Sequence, residues 1–264
     1  MKKLFPFDEC YLVNLVERPD RLEYMMNQFK LLKCENEIIL HRAVKHPDWI
    51  VEKIHSGINN SFMDEEYRGI VDVPHSTSGY REQYTIIKSA YLRGLETIMI
   101  IEDDCGFIKD RSILEEYFSN LPNDWDILRI NCLRGPKTQE YINKYKDKYN
   151  YWLPQITCIY GAAAYALNRN GMKYILDWYE LYCGAIDVPL CFGNATKYMD
   201  ELKHYTKTPI LTNNIKFYIP EIPLGLCTEM NLKSDLHQQH IDNNPYSLYH
   251  IFKFIKNIDL NNYF

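Results

Sequence analysis

Short apolar runs alternate with segments of helical spacing along most of this 264-residue chain, and that alternation constrains its fold more than any other feature. The clearest run covers residues 97–101, which follow a helical pattern beginning at Tyr80 and end abruptly in Glu102-Asp103-Asp104. Unbroken apolar runs of this kind are typical of strands buried on both faces. Strands that alternate with helices predict the α/β class, with a mostly parallel central sheet and helices on both faces.

The same periodicities predict the other elements of the chain. Strands are expected over 10–16, 37–44, 126–131 and 216–219, a strand pair within 156–167, and helices from Pro19, over 111–119 and around Met172 to Tyr179. We expect residues 45–78 to be irregular with one short helix, and the polar segment 134–150 to be a surface loop or a mobile lid. No repeat or linker interrupts the pattern, so we expect a single domain over residues 1–264.

Composition limits the classes of function. Hydrophobic residues make up 46% and charged residues 25% of the chain, as in folded globular proteins. The net charge of −5 provides no cationic field for nucleic acid or an anionic membrane. We expect no signal peptide and no transmembrane segment, because no apolar run approaches the roughly 20 residues that span a bilayer. Eight scattered cysteines without a C-x-x-C pair are typical of buried thiols in a reducing compartment, so we expect a cytoplasmic protein.

The acidic run Glu102-Asp103-Asp104 is the first candidate for chemistry. Ligands of open α/β sheets collect at the carboxyl ends of the parallel strands, where carboxylates can hold a divalent cation against phosphate oxygens. Adjacent carboxylates repel one another unless a cation or cationic side chains neutralise them. The alternative interpretation is a solvated loop after a strand.

Two arginines, Arg18 and Arg21, bracket the predicted amino end of the first helix, close to Asn14 in the first strand. Backbone N–H groups and the helix dipole favour an anion at such a position. The two guanidinium groups could therefore clamp a diphosphate. Alternatively, both arginines are ordinary surface residues paired with acidic neighbours in their own segment.

Taken together, four stretches resemble glycosyltransferase family 25, the galactosyltransferase-like enzymes of lipopolysaccharide assembly and collagen modification. The stretch YLVNLVERPDRLEYM resembles the family's opening strand and helix with its N-L-x-x-R-x-x-R pattern, and GYREQYTIIKSAY stands where the family has its G-E-x-G-C helix. The stretch IMIIEDDC resembles the strand that ends in the family's acidic metal motif. The last stretch, GAAAYALNRNGMKYIL with AIDVPL, resembles the family's G-x-x-A-Y and P-I-D segments. A later stretch, LKSDLHQQH, is similar to the family's Ser-Asp-Ile tail. The chain departs from the family at Tyr80–Tyr84, which lacks the motif's cysteine, and at Ala185, which replaces proline.

The resemblance implies a GT-A-like, Rossmann-type nucleotide-sugar-binding fold and a metal-dependent, inverting hexosyltransferase. Such an enzyme would move galactose or glucose from a UDP-sugar donor to a hydroxyl group of a glycan, lipopolysaccharide or hydroxylated protein acceptor. Glu102 and Asp104 would bind Mn²⁺ or Mg²⁺, and Asp187 would act as the catalytic base on the acceptor hydroxyl. The residues expected to bind the donor are Asn14, Arg18, Arg21, Glu82, Asp103 and Asp235.

Several alternatives stay open from the residues themselves. Asp187 could instead cap a helix, and the small residues 161–164 could serve packing rather than ligand approach. His237 and His240 are interpreted as solvated tail residues rather than metal ligands. For the whole chain, the alternatives are a metal-dependent phosphohydrolase and a catalytically degenerate sugar-nucleotide-binding module.

Overall fold

Helices and strands alternate through the part of the chain that the structure describes. The structure is a computed structural model and describes residues 2–45, 74–131, 136–155, 159, 161–181, 186, 189–190 and 214–227. Its strands are β1 (Glu9–Leu15), β2 (Ile38–Ala43), β3 (Thr97–Glu102), β4 (Cys105–Phe107), β5 (Ile127–Arg129), β6 (Trp152–Pro154), β7 (Ala164–Asn168), β8 (Phe217–Pro220) and β9 (Gly225–Cys227). Its helices are α1 (Pro19–Leu31), α2 (Pro74–Leu92), α3 (Arg111–Ser119), α4 (Pro136–Tyr145) and α5 (Arg169–Leu181).

Seven strands form one sheet in the order β2-β1-β3-β7-β5-β8-β6. β1 pairs in parallel with both β2 and β3, and β5 pairs in parallel with β8. β7 runs antiparallel to β3 and β5, and β6 runs antiparallel to β8. Within this sheet, all strands except β6 and β7 therefore run in the same direction. This confirms the predicted α/β class with a mostly parallel sheet. β4 and β9 form a separate antiparallel ribbon.

Alternate side chains of the central strands pack against helices on opposite faces of the sheet, because successive residues of a strand point to opposite sides. In β3, Met99 and Ile101 belong to a core cluster with residues of α1 and α3. Ile98 and Ile100 belong to a second cluster with residues of α2 and α5. The predicted placement of helices on both faces is confirmed.

The helix starts follow local chemistry. α1 begins at Pro19, where the missing N–H leaves no unsatisfied donor, as the sequence predicted. α3 begins after Asp110, whose carboxylate accepts a hydrogen bond of 2.9 Å from the Ser112 backbone N–H. The predicted helix over 111–119 is confirmed at both ends.

The prediction of a loop or lid over 134–150 was wrong, because α4 covers Pro136–Tyr145. Polar residues dominate this segment, but Tyr141 and Ile142 are buried and pack with Leu153 and Ile219 in a third core cluster. Together with the buried Thr138, these side chains form a narrow buried face that docks a largely polar helix. The structure also starts α2 within the segment predicted to be irregular.

Candidate functional site

The carboxyl ends of β1, β2 and β3 meet at one edge of the sheet, because these strands are parallel. Asn14 of β1 lies opposite Arg42 of β2, and Val13 of β1 lies opposite Glu102 of β3. The acidic segment Glu102-Asp103-Asp104 therefore lies at the edge where open α/β sheets bind ligands. We call this region, formed by Asn14, Arg42 and the acidic segment, the carboxyl edge.

Asn14 connects three groups at the carboxyl edge. Its side chain is fully buried, and its Nδ2 lies 2.6 Å from Asp103 Oδ2 and 2.9 Å from the Arg18 carbonyl oxygen. Its Oδ1 accepts a hydrogen bond from Arg42 Nη1. Because a carboxylate and a carbonyl only accept while a guanidinium only donates, the orientation of the amide is unambiguous. Both Nδ2 protons are thus used within the protein.

Arg21 neutralises part of the acidic segment. Its Nη1 lies 3.0 Å from Asp103 Oδ1 and 3.9 Å from Asp104 Oδ2, and both Arg21 and Asp103 are buried. Asp103 therefore has a guanidinium on one oxygen and the Asn14 amide on the other. Adjacent carboxylates repel one another unless a metal cation or a cationic side chain neutralises them, and Arg21 is such a side chain.

Arg18 immediately precedes α1 and binds the carboxylate of Asp20 at two points. Its Nε lies 3.0 Å from Asp20 Oδ1 and its Nη2 lies 2.8 Å from Asp20 Oδ2. This contact lowers the pKa of Asp20 to about 2, because the guanidinium favours the charged form. Both arginines that the sequence singled out for a diphosphate therefore contact a carboxylate of the protein.

A second cluster of polar side chains lies on the face of the sheet that α2 covers. Glu102 Oε1 accepts a hydrogen bond of 2.6 Å from Gln83 Nε2, and the Tyr165 hydroxyl donates to Gln83 Oε1. Glu82 Oε2 lies 2.7 Å from His41 Nε2. Consecutive residues of α2 thus contact the carboxyl ends of β2 and β3.

The residues beside the acidic segment are closely packed. Burial raises the pKa of the Cys105 thiol well above its usual range, and the neighbouring Asp104 adds to the shift, so Cys105 is a neutral thiol at physiological pH. Ala163 and Ala164, from the run of small residues, are buried in the core cluster that contains α1. Close packing therefore accounts for these two small residues.

The predicted site residues divide into two sets. Asn14, Arg18, Arg21, Glu82 and the acidic segment lie at or next to the carboxyl edge. Asp187, Asp235, His237 and His240 lie outside the described residues, so their roles stay predictions.

Three residues at this edge were not predicted from the sequence: His41, Arg42 and Gln83. A signal was present for the first two, since they fall near the end of the predicted strand 37–44. Parallel pairing of that strand with the first one would have placed them beside Asn14. Gln83 had no comparable signal, because its contact with Glu102 depends on how α2 lies across the sheet.

Two features are absent from the part of the chain that the structure describes. No group of three or more His, Cys, Asp and Glu side chains is placed there to hold a metal ion. No helix in the same part of the chain is long and apolar enough to cross a membrane.

No protein-family model matches the chain, and a search of curated proteins finds no match. Among solved structures, the chain is similar to mouse xyloside xylosyltransferase 1 in its apo form, with 11% sequence identity, 73% of this chain and 81% of that chain covered, and a TM-score of 0.37. A similarity this distant carries no argument about function.

Proposed function

We propose that this chain is a glycosyltransferase that moves a hexose from a UDP-sugar to a hydroxyl group of a glycan, lipopolysaccharide or hydroxylated protein. The observation that carries the proposal is the acidic segment at the end of buried β3, where Asn14 and Arg21 hold Asp103. Carboxylates fixed beside arginines suit a diphosphate that binds together with a divalent cation. The order of motifs that resembles family 25 supports the same reaction.

Glu102 and Asp104 are the proposed ligands of Mg²⁺ or Mn²⁺. Mg²⁺ is usually bound through one or two carboxylates plus substrate phosphates, so these two partly exposed carboxylates fit the donor set. A bound cation supplies charge stabilisation to the leaving diphosphate. In this proposal Asp103 holds the acidic segment in place, because Asn14 and Arg21 engage its two oxygens.

Asp187 is the proposed base for the acceptor. The acceptor hydroxyl oxygen bonds to the anomeric carbon of the sugar, the bond from that carbon to the diphosphate oxygen breaks, and UDP leaves with the electron pair. The hydroxyl proton passes to the Asp187 carboxylate on the far side of the sugar, as it passes to the base of an inverting glycosidase.

An assay of UDP-galactose and UDP-glucose against a panel of glycan acceptors tests the proposal. We expect UDP release coupled to glycoside formation, loss of both with EDTA, and recovery with Mn²⁺. Release of inorganic phosphate instead of UDP would identify a phosphohydrolase. Donor binding without transfer to any acceptor would identify a degenerate binding module.

A matched pair of variants locates the chemistry within the chain. Asp104→Asn removes a proposed metal ligand and should abolish transfer. Asp124→Asn removes an exposed carboxylate three residues before β5, at the opposite edge of the sheet, and should leave transfer unchanged. Near-normal transfer by Asp104→Asn would remove Asp104 from the proposed metal site.

A further inference from the structure

We infer that Arg42 binds the diphosphate of a nucleoside diphosphate at the carboxyl edge. The inference rests on the proposed function and adds a binding residue to it. Arg42 belongs to β2, opposite Asn14 of β1, and therefore lies at the same edge of the sheet as the acidic segment. Its side chain is exposed, so a ligand can reach the guanidinium.

The guanidinium of Arg42 is held in place by two acceptors of the protein. Its Nη1 donates to Asn14 Oδ1, and its Nη2 donates to the Val16 carbonyl oxygen at 3.0 Å. Asn14 is fully buried and is itself fixed by Asp103. An exposed arginine normally loses side-chain entropy when it binds a ligand, and this anchoring reduces that loss.

Charge distinguishes Arg42 from the other two arginines at this edge. Arg21 contacts Asp103 and Asp104, and Arg18 contacts Asp20. Arg42, by contrast, has no carboxylate partner among the residues that the structure describes, since its acceptors there are an amide and a carbonyl oxygen. Its positive charge is thus available to an anion.

The chemistry of the edge selects a phosphate group as that anion. A guanidinium has five N–H donors in one plane, and two parallel donors match two oxygens of a phosphate. The nearby carboxylates of the acidic segment would repel a bare anion, but a diphosphate that shares a divalent cation with them is compatible with both charges. Arg42 and the acidic segment would then contact the same ligand from β2 and β3, the two strands that flank β1.

Calorimetry with UDP and with inorganic pyrophosphate, both in Mg²⁺, tests the inference. Arg42→Gln should weaken both ligands by about 10- to 100-fold, the range for loss of a hydrogen bond to a charged group. Arg42→Lys keeps the positive charge but loses the two parallel N–H donors, so its affinity for both ligands should lie between those of Arg42→Gln and the wild type. The matched control is Arg93→Gln, because Arg93 is also exposed but pairs with Glu9 at the opposite end of β1 and should not affect either ligand.

Three outcomes overturn the inference. If the wild type binds UDP and Arg42→Gln binds it equally well, Arg42 is not a ligand residue, while the proposed function stands. If UDP binding weakens in Arg42→Gln but pyrophosphate binding does not, the contact is not with the diphosphate. If the folded wild type does not bind UDP, the inference and the proposed function fail together.

Discussion

Asp103 is the residue on which the geometry of the carboxyl edge depends. It is buried, yet both of its oxygens are bound, one by Arg21 and one by Asn14. A buried charge is tolerated only when it is paired and hydrogen-bonded, and removal of one partner leaves the other uncompensated. Loss of Arg21 would leave Asp103 as a buried charge without a cationic partner, so the local structure depends on the Arg21–Asp103 pair.

This dependence predicts unequal effects for the two arginines near α1. Arg21→Met should lower the free energy of unfolding by about 3–5 kcal/mol, because it leaves Asp103 buried without its cation. Arg18→Met should lower it by about 0–1 kcal/mol, because the Asp20 side chain is 52% exposed. Urea denaturation measures both values. Equal losses for the two variants would show that the Arg21–Asp103 contact is not the buried pair described above.

Asp187 gives opposite predictions as a base and as a helix cap. As a base, Asp187→Asn should keep UDP binding and lower kcat by roughly 10²- to 10⁴-fold, because asparagine cannot accept the acceptor's proton. As a cap, the same variant should keep both stability and turnover, since asparagine caps helices well. Steady-state kinetics with calorimetry of UDP separates the two. Full turnover would remove the catalytic role and move the search for the base to Asp235 or Glu82.

Residue-level contacts were predictable only in part. The start of α1 follows from Pro19, and the position of the acidic run follows from the end of an apolar strand. Arg18 pairs with Asp20 of its own segment, which is the alternative that the sequence offered. The partner of Arg21 could not be predicted, because the Arg21–Asp103 contact joins residues 82 positions apart. That contact exists because β1 pairs with β3 in parallel, and pairing is not encoded in a local pattern.

At the scale of elements, α5 packs unusually close to the start of β5. A Cβ atom added at Gly171 would lie 2.3 Å from the carbonyl oxygen of Asp126, which is backbone and cannot move aside cheaply. Asn168 and Asn170 both donate to the Asp126 carboxylate, and Asp126 in turn accepts from the Lys216 N–H. Gly171 therefore allows α5 to approach β5 closely enough for these polar contacts to form.

Two Gly→Ala substitutions test this junction against ordinary helix propensity. Gly171→Ala should destabilise the protein by about 1–3 kcal/mol, the usual range for overpacking. Gly79→Ala should stabilise it by about 0.5–1 kcal/mol, because nothing lies within 4 Å of the added Cβ and alanine is the better helix former. Thermal or urea unfolding measures both. A neutral Gly171→Ala would mean that α5 can shift away from the sheet without cost.

Element prediction succeeded where periodicity was long and failed where it was short. Helix α3 and strands β1, β2 and β3 match their predicted positions closely, because each shows a clear apolar pattern. The short strands β4, β6 and β9 were missed, since three residues carry no measurable period, whereas the equally short β5 lies within the longer predicted strand 126–131. α4 was missed because its buried face is narrow.

At the scale of the whole molecule, buried thiols couple stability to alkaline pH. Burial raises the pKa of both Cys10 and Cys34 to about 12 from an ordinary value of 9.0. Above pH 9 the unfolded chain loses these protons while the folded chain keeps them. The unfolded state then binds fewer protons, so the free energy of unfolding falls as pH rises.

We therefore expect stability from these thiols to be complete below pH 9 and to decline as pH rises towards about 12. Each thiol contributes a slope of roughly 1.4 kcal/mol per pH unit within that window. Urea denaturation at several alkaline pH values measures the slope, and the double variant Cys10→Ala, Cys34→Ala should show a shallower one. An unchanged slope in the double variant would assign the alkaline loss to other groups.

Hydrogen exchange with UDP and Mg²⁺ shows whether the carboxyl edge binds the nucleotide of the proposed donor. We predict slower amide exchange in peptides that span 14–21 and 102–105, because a ligand at the carboxyl edge protects both segments. Residues 93–97 lie at the amino end of β3, away from the carboxyl edge. They provide the internal control and should exchange at the same rate with and without UDP. Unchanged exchange over 14–21 and 102–105 at saturating UDP, or slowing confined to other segments, would show that the nucleotide does not bind at the carboxyl edge.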